Sequence, residues 1–279
     1  IYIKVENTSI YAQLFHHQSR FMLDPSLIKR IDIRKGAGSA SAGIGATSGS
    51  IEATTVEAKD LLREGQDFGF KLNAGVSSNK GHSQGATVYG KAGVVDALFS
   101  GNWQTIENYK GGKGYVNKEG SQMVKNSAIG ERGLLAKIGV DLNEEHRIVL
   151  SHRQERHYGA RALREEFDFS QDWLTANGRN GTPPALTKEQ RANGYTLSQE
   201  GNIWYVLDRN GNKIPNTESN APRYRITTND TSKIEWTGKN MGLISNAKAN
   251  VWRSVISREE PSERDRQRLI ANGANINLE

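Results

Sequence analysis

The chain has 279 residues, of which 35% are apolar, with a mean hydropathy of −0.66, 29 glycines and no cysteine. No apolar run approaches the roughly 18 residues of a membrane-spanning helix, and the missing thiols exclude disulfide frameworks, thiolate zinc sites and cysteine nucleophiles. The net charge of +6 comes from cations interleaved with anions, which argues against nucleic acid as a partner and for a basic funnel facing anionic ligands.

The opening IYIKVEN reads as a strand, with Ile1, Ile3 and Val5 alternating against Tyr2, Lys4 and Glu6. A loop follows, and Asp24-Pro25-Ser26 marks a turn or helix start. From Ile28 a β-prone run (Ile31 and Ile33 against Lys29, Asp32 and Arg34) meets a tract of Gly, Ala and Ser. Such a tract has little side chain to bury and suits tight turns, so Gly36, Gly38, Gly43, Gly45 and Gly49 are read as turn glycines. A phosphate loop is the weaker reading, because no Gly-Lys-Ser/Thr follows and the GxGxxG spacing is missing. A strand over 50–56 closes this block, and AKDLLREGQD is a short amphipathic linker.

From Asp67 the pattern changes to long alternating segments. Phe68, Phe70, Leu72, Ala74 and Val76 alternate with Gly69, Lys71, Asn73 and Gly75. Similar alternation recurs around Phe99, Ile138, Val251 and Ile276. Several runs reach the roughly 9–11 residues with which a tilted strand crosses a bilayer. Short turns at 91–94, 142–145 and 238–242 separate long loops at 107–131 and 158–224, the rhythm of an outer-membrane barrel. The second loop carries a hairpin of its own, with NIWYVL, a turn over Asp208 to Asn212, then Lys213-Ile214. Trp103, Tyr109, Trp236 and Trp252 fall at or near strand ends, where an aromatic girdle sits, although each alone is more often ordinary packing.

Several stretches go beyond pattern. LIKRIDIRKGAGSASAGIGATSGSIEATT, from Leu27, resembles the plug element of TonB-dependent outer-membrane receptors. With HHQSRFMLDPS before it, and with RGLLAKIGVDLNEEHRIVLSHRQERHYGARALREEF and IEWTGKNMG later, the chain looks like the FetA/FrpB-type branch of ferric-siderophore receptors. The long second loop looks less alike. The resemblance implies a mainly β fold, a transmembrane antiparallel barrel of about 22 strands closed by an α+β plug, in the outer membrane of a Gram-negative bacterium. Residues 1–62 correspond to the C-terminal part of the plug and 63–279 to about the first eight strands of the wall. The start at Ile1 and the end in mid-pattern read as a fragment, and open strand edges predict that it aggregates without the rest. The implied function is import of a ferric siderophore, powered by the TonB–ExbB–ExbD complex. No permanently bound cofactor is implied: the iron chelate, or haem, is cargo.

Within that frame His17 and His16 are the best candidate ligand contacts, flanked by Tyr11, Gln18 and Arg20 at the plug apex. Imidazole suits iron and haem, phenolate suits ferric iron, and Arg20 suits an anionic chelate. The family pattern carries a His here, which makes His17 the safer of the two as a metal contact. The plainer alternative is a pair of solvated loop histidines. His146 and His152 share one face of a strand and His157 the other, which is poor geometry for a metal. No Ser/His/Asp order or carboxylate pair stands out, so no enzyme is expected. Haem or haem-protein uptake by the same architecture is the nearest alternative. A passive porin or adhesin barrel, or a soluble β-rich module, is the alternative of another class.

Overall fold

A computed structural model describes residues 2–5, 8–9, 27–36, 49–115, 121–124, 126–161, 176–179, 183–214, 223–261 and 264–278. His16, His17, Tyr11, Gln18, Arg20, Gly38, Gly43 and Gly45 lie outside the described residues. The chain divides into two units, residues 161–223 forming most of the smaller one.

In the larger unit, β1 (Tyr2–Val5), β2 (Thr8–Ser9), β3 (Ile28–Lys35) and β4 (Gly49–Thr55) make a small sheet in the order β2-β1-β4-β3. β1 runs parallel to β4, and β3 runs antiparallel to it. Gly36, directly after β3, has φ +85°, a conformation that favours glycine. Ile31 and Ile33 are exposed on β3. The linker after β4 contains a short helix, α1 (Ala58–Leu61), which the sequence reading had as linker alone. Its start is fixed by a capping box in which the Glu57 amide donates to Asp60 Oδ2 at 2.8 Å.

The remaining strands of this unit form one wall. β5 (Phe68–Ser77), β6 (Gly81–Ala92), β7 (Val95–Ile106), β8 (Ile129–Asp141) and β9 (His146–Arg161) follow one another in antiparallel pairs. After β10 (Ala176–Arg179), β11 (Thr196–Glu200) and β12 (Ile203–Leu207) of the smaller unit, the wall resumes with β13 (Arg223–Met241), β14 (Ile244–Glu260) and β15 (Asp265–Leu278). The order is β15-β14-β13-β9-β8-β7-β6-β5, eight strands as counted from sequence. They run from 10 to 19 residues, each long enough to cross a bilayer by the ~9–11-residue measure.

At one end of the wall every connection is short: Gly93-Val94, 142–145 and Gly242-Leu243. The third turn sits later than the sequence suggested, because Gly238 still pairs with Ala247 inside the ladder. At the opposite end, 107–128 and 162–222 are long, but 78–80 and 261–264 are short as well.

The two faces of the wall differ in chemistry. On the outer face Phe68, Phe70, Leu72, Val76, Phe99, Leu134, Ile138, Leu150 and Val251 are exposed. The inner face carries buried Asp96, Ser100, Lys137, Arg153, Glu155, Lys233 and Asn250. A sheet with solvent on its outside would put the apolar set inward; here it is turned outward, as in a lipid-facing barrel. Trp103 is exposed on the outer face, and Trp236 stacks on His146 with centroids 5.6 Å apart near the short-turn end. Trp252 departs from the expected girdle. It has the inward parity of Asn250 and Ser254, is 7% exposed, and lies over Gly273, where a Cβ would come within 2.5 Å of the indole.

The smaller unit has its own three-stranded sheet, in the order β10-β12-β11, around buried Tyr205 and Val206. Its helix α2 (Lys188–Ala192) is capped by Thr187, whose hydroxyl accepts from the Gln190 amide at 3.0 Å. Lys213 lies 3.7 Å above the Tyr205 ring and pairs with Glu200 at 2.8 Å. The expected hairpin turn after β12 is present. Asp208 accepts hydrogen bonds from the Asn212 side chain at 3.0 Å and from the Asn212 and Asn210 amides at 2.9 and 2.8 Å. These bonds, the Asn212 side chain first, hold the Asp208 carboxyl below the usual carboxylate range. The turn's stabilisation is therefore complete above the unfolded pKa of about 3.9 and is lost as pH falls through the lower folded value. Hydrogen exchange over 203–214 in the full-length protein, corrected for intrinsic rate, should show protection kept from pH 7 to pH 5 and lost at strongly acid pH. Asp208→Ala should lose it throughout, and equal protection in that variant would contradict this account of the turn.

Candidate functional site

The inner face of the wall is where the small sheet and α1 are seated. Leu27, Ala58, Tyr89, Leu98 and Leu135 form a buried apolar cluster, with Val56, Leu61 and Leu62 packed against it. Leu27, just before β3, and Ala58 of α1 belong to the small sheet and its helix; the other three are inward positions of β6, β7 and β8. Around this contact the attachments are polar. Lys137 Nζ donates to the Thr55 carbonyl at 3.3 Å.

The centre of the attachment is Arg147, the second residue of β9. Its guanidinium donates to both oxygens of Asp96, at 2.6 and 3.0 Å, to Asp141 at 3.0 Å and to Glu57 at 3.0 Å. Asp96 is on β7, Asp141 on β8, and Glu57 caps α1, so one side chain ties three wall strands to the small domain. Lys59 of α1 also pairs with Asp141, and Lys29 of β3 pairs with Asp60. The planar fork explains why arginine suits the position, since it meets Asp96 bidentately and still has donors for two more carboxylates. Gly139 makes the reach possible. A Cβ there would stand 2.1 Å from the Arg147 guanidinium.

A cleft of about 650 Å³ opens beside this hub at the short-turn end, lined by Glu57, Lys59, Asp60, Asp141, Arg147 and Lys239 among others. Water therefore reaches the edge of the ion-pair group from that end. Farther along the inner face, polar and charged groups pair within the wall. His157 Nδ1 lies 3.3 Å from Glu131, Arg225 is 2.7 Å from Glu260, and Lys233 is 2.9 Å from Glu235. Asn229, Thr231 and Ser254 are hydrogen-bonded to one another. Away from the Tyr89, Leu98 and Leu135 cluster and Trp252, the face is thus a polar lining that could accommodate a hydrated or anionic solute.

His146 and His152 are on the outer face and His157 is on the inner face, as period two required. Among the described residues no group of three His, Cys, Asp or Glu is placed to hold a metal ion. Gly36 and Gly49 bracket the small-residue tract at the end of β3 and the start of β4; the other candidate contacts lie outside the described residues. The Arg147 hub was not foreseen. Asp96 and Asp141 fall on the polar side of the alternation around Phe99 and Ile138, but nothing in the spacing shows that Arg147 crosses Gly139 to reach them.

Removing Arg147 leaves Asp96, 4% exposed, as an uncompensated buried charge, a loss of about 3–5 kcal/mol for a broken buried pair. Arg147→Ala and Gly139→Val should each lower the thermal unfolding midpoint of the full-length protein, and together do little more than either alone. Additive losses would mean that Gly139 acts independently of the guanidinium.

No family model matches the chain. The FrpB iron transporter from Neisseria meningitidis (F3-3 variant) is similar over 99% of this chain and 38% of its own, with 37% identity and a TM-score of 0.75. Heme/hemopexin utilization protein C of Haemophilus influenzae (strain 86-028NP) is 33% identical over 175 residues, which is 62% of this chain and 22% of that protein. Heme transporter BhuA of Brucella ovis is 27% identical over 163 residues, 58% of this chain and 23% of that protein. The chain thus spans under a quarter of the length of these two curated relatives. These relatives are named as transporters and utilization proteins, not enzymes. With its two-faced antiparallel wall, the small domain seated on the polar face, and this likeness, the chain belongs to the TonB-dependent receptors of the Gram-negative outer membrane.

Proposed function

We propose that the protein to which this chain belongs imports a ferric siderophore across the outer membrane. The observation that carries this reading is the 37% identity with the FrpB iron transporter across 99% of the chain, small domain and wall alike. In this reading residues 1–62 are plug, 63–279 are the start of the barrel, and the long loops at 107–131 and 158–224 face outward and capture the chelate. The plug apex contacts it through His17, His16, Tyr11, Gln18 and Arg20. His17 and His16 are the residues whose imidazoles suit the iron. Energy comes from the TonB–ExbB–ExbD complex, which draws the plug from the inner wall and opens a polar path along it.

The chemistry of the Arg147 hub supports such a movement. Its contacts to the plug are ion pairs and a small apolar cluster, and water can replace ion-pair partners at the open cleft. Haem uptake is the second reading, favoured by the likeness to the two haem-named relatives. A porin would have no plug on its polar face.

Uptake of radiolabelled iron by iron-starved cells expressing the full-length receptor separates these readings. Ferric-siderophore uptake should require TonB and fall about tenfold or more in His17→Ala, the loss of roughly one strong charge-assisted contact. Uptake of haem iron alone would replace the siderophore reading, and TonB-independent entry would overturn both.

A further inference from the structure

Arg132 on β8 and Arg156 on β9 stand directly opposite one another on the outer face. Like charges in that relation destabilise a sheet unless something between them supplies negative charge. Among the described residues no acidic side chain does. Arg132 lies over the Tyr158 ring at 5.8 Å, and the buried Nε of Arg156 has no hydrogen-bond partner. The acidic groups of the same face are engaged elsewhere. Asp230 accepts from Gln154 at 2.7 Å and lies 4.0 Å from His152, and Glu259 pairs with Arg266 at 3.3 Å. Glu131 and Glu155, the sequence neighbours, have the opposite parity and belong to the inner face.

The level of this pair on the wall is informative. Trp103 is next in the same row, registered with Arg132 and exposed. From Arg132 toward the short-turn end, the outer positions of β8 are Leu134, Ala136, Ile138 and Val140. The row thus closes an apolar band with two guanidinium groups flanked by Trp103 and Tyr158. That is the composition of a membrane–water boundary, where aromatic rings sit at headgroup level. Guanidinium groups bind phosphate oxygens bidentately.

We propose that Arg132 and Arg156 form a binding site for the phosphate of an anionic membrane lipid, with its acyl chains lying along Leu134 and Phe99. The lipid supplies the charge that the pair lacks and fixes the depth of the barrel in the bilayer. This inference rests on the wall lying in a bilayer, and is independent of which iron compound is carried.

Native mass spectrometry of the full-length receptor in detergent, titrated with dioleoylphosphatidylglycerol and dioleoylphosphatidylcholine, tests it. The receptor should prefer the anionic lipid, and Arg132→Gln/Arg156→Gln should weaken that binding by about thirtyfold, as for two arginines at an anionic surface. Arg132→Lys/Arg156→Lys should fold and keep most of the preference, while ferric-siderophore binding stays unchanged in both variants. No preference in the wild type, or equal binding by the glutamine variant, would overturn the site. Displacement of the lipid by inorganic phosphate would overturn it too, by assigning the pair to a free anion.

Discussion

One inward side chain, Arg147, holds the structure together at the point where two kinds of packing meet. The wall alone is a set of neighbour-to-neighbour ladders, in which each strand knows only the strands beside it. The small domain alone is a short sheet with little to bury. Arg147 joins β7, β8 and the cap of α1 in a single group of charge-assisted hydrogen bonds. It fixes where the small domain sits on the polar face, and the apolar contact of Leu27 and Ala58 with Tyr89, Leu98 and Leu135 follows from that seat.

The wall itself obeys a harsher rule. In hydrocarbon each backbone N–H and C=O needs a partner, so strands must pair along their length and the side chains must alternate. That rule makes much of the fold legible in sequence. The Phe68–Val76, Leu134–Val140 and Ala247–Val251 alternations appear in the structure on the faces their parity assigns. β6 and β13 were legible mainly from the turns beside them. In β6, Gly81, Gly85 and Gly90 interrupt the alternation, and in β13 the run Thr227 to Ser232 is polar on both faces. The third short turn was misplaced for a related reason: Gly238 looks like a turn residue but accommodates the Trp236 ring from within the ladder. Trp252 was misread because an indole near a strand end suggests a girdle, whereas a glycine opposite it can give the ring room inside.

The candidate site was legible in a different way. The small-residue tract and the His16-His17 pair stand out by residue type. The Arg147 hub does not, because it depends on a diagonal reach across Gly139 that only the register reveals. Periodicity shows which face a charge occupies; it does not show which charges meet. The same limit applies outside, where Arg132 and Arg156 lie 24 positions apart by number and become neighbours only through the β8–β9 pairing.

The small sheet and α1 are fastened to the wall by ion pairs beside a small apolar cluster, and the ion pairs are what the proposed mechanism uses. An apolar seat would hold until the whole interface was pulled apart. Ion pairs at the edge of an open cleft can exchange partners one at a time. The direct test is a reversible lock across the Lys59–Asp141 contact. The chain has no cysteine of its own, so Lys59→Cys and Asp141→Cys in the full-length receptor can be joined by a short, reducible thiol cross-linker. The account predicts that the cross-linked receptor still binds its ligand but transports no iron, and that reduction restores transport. Undiminished transport with the lock closed would contradict it.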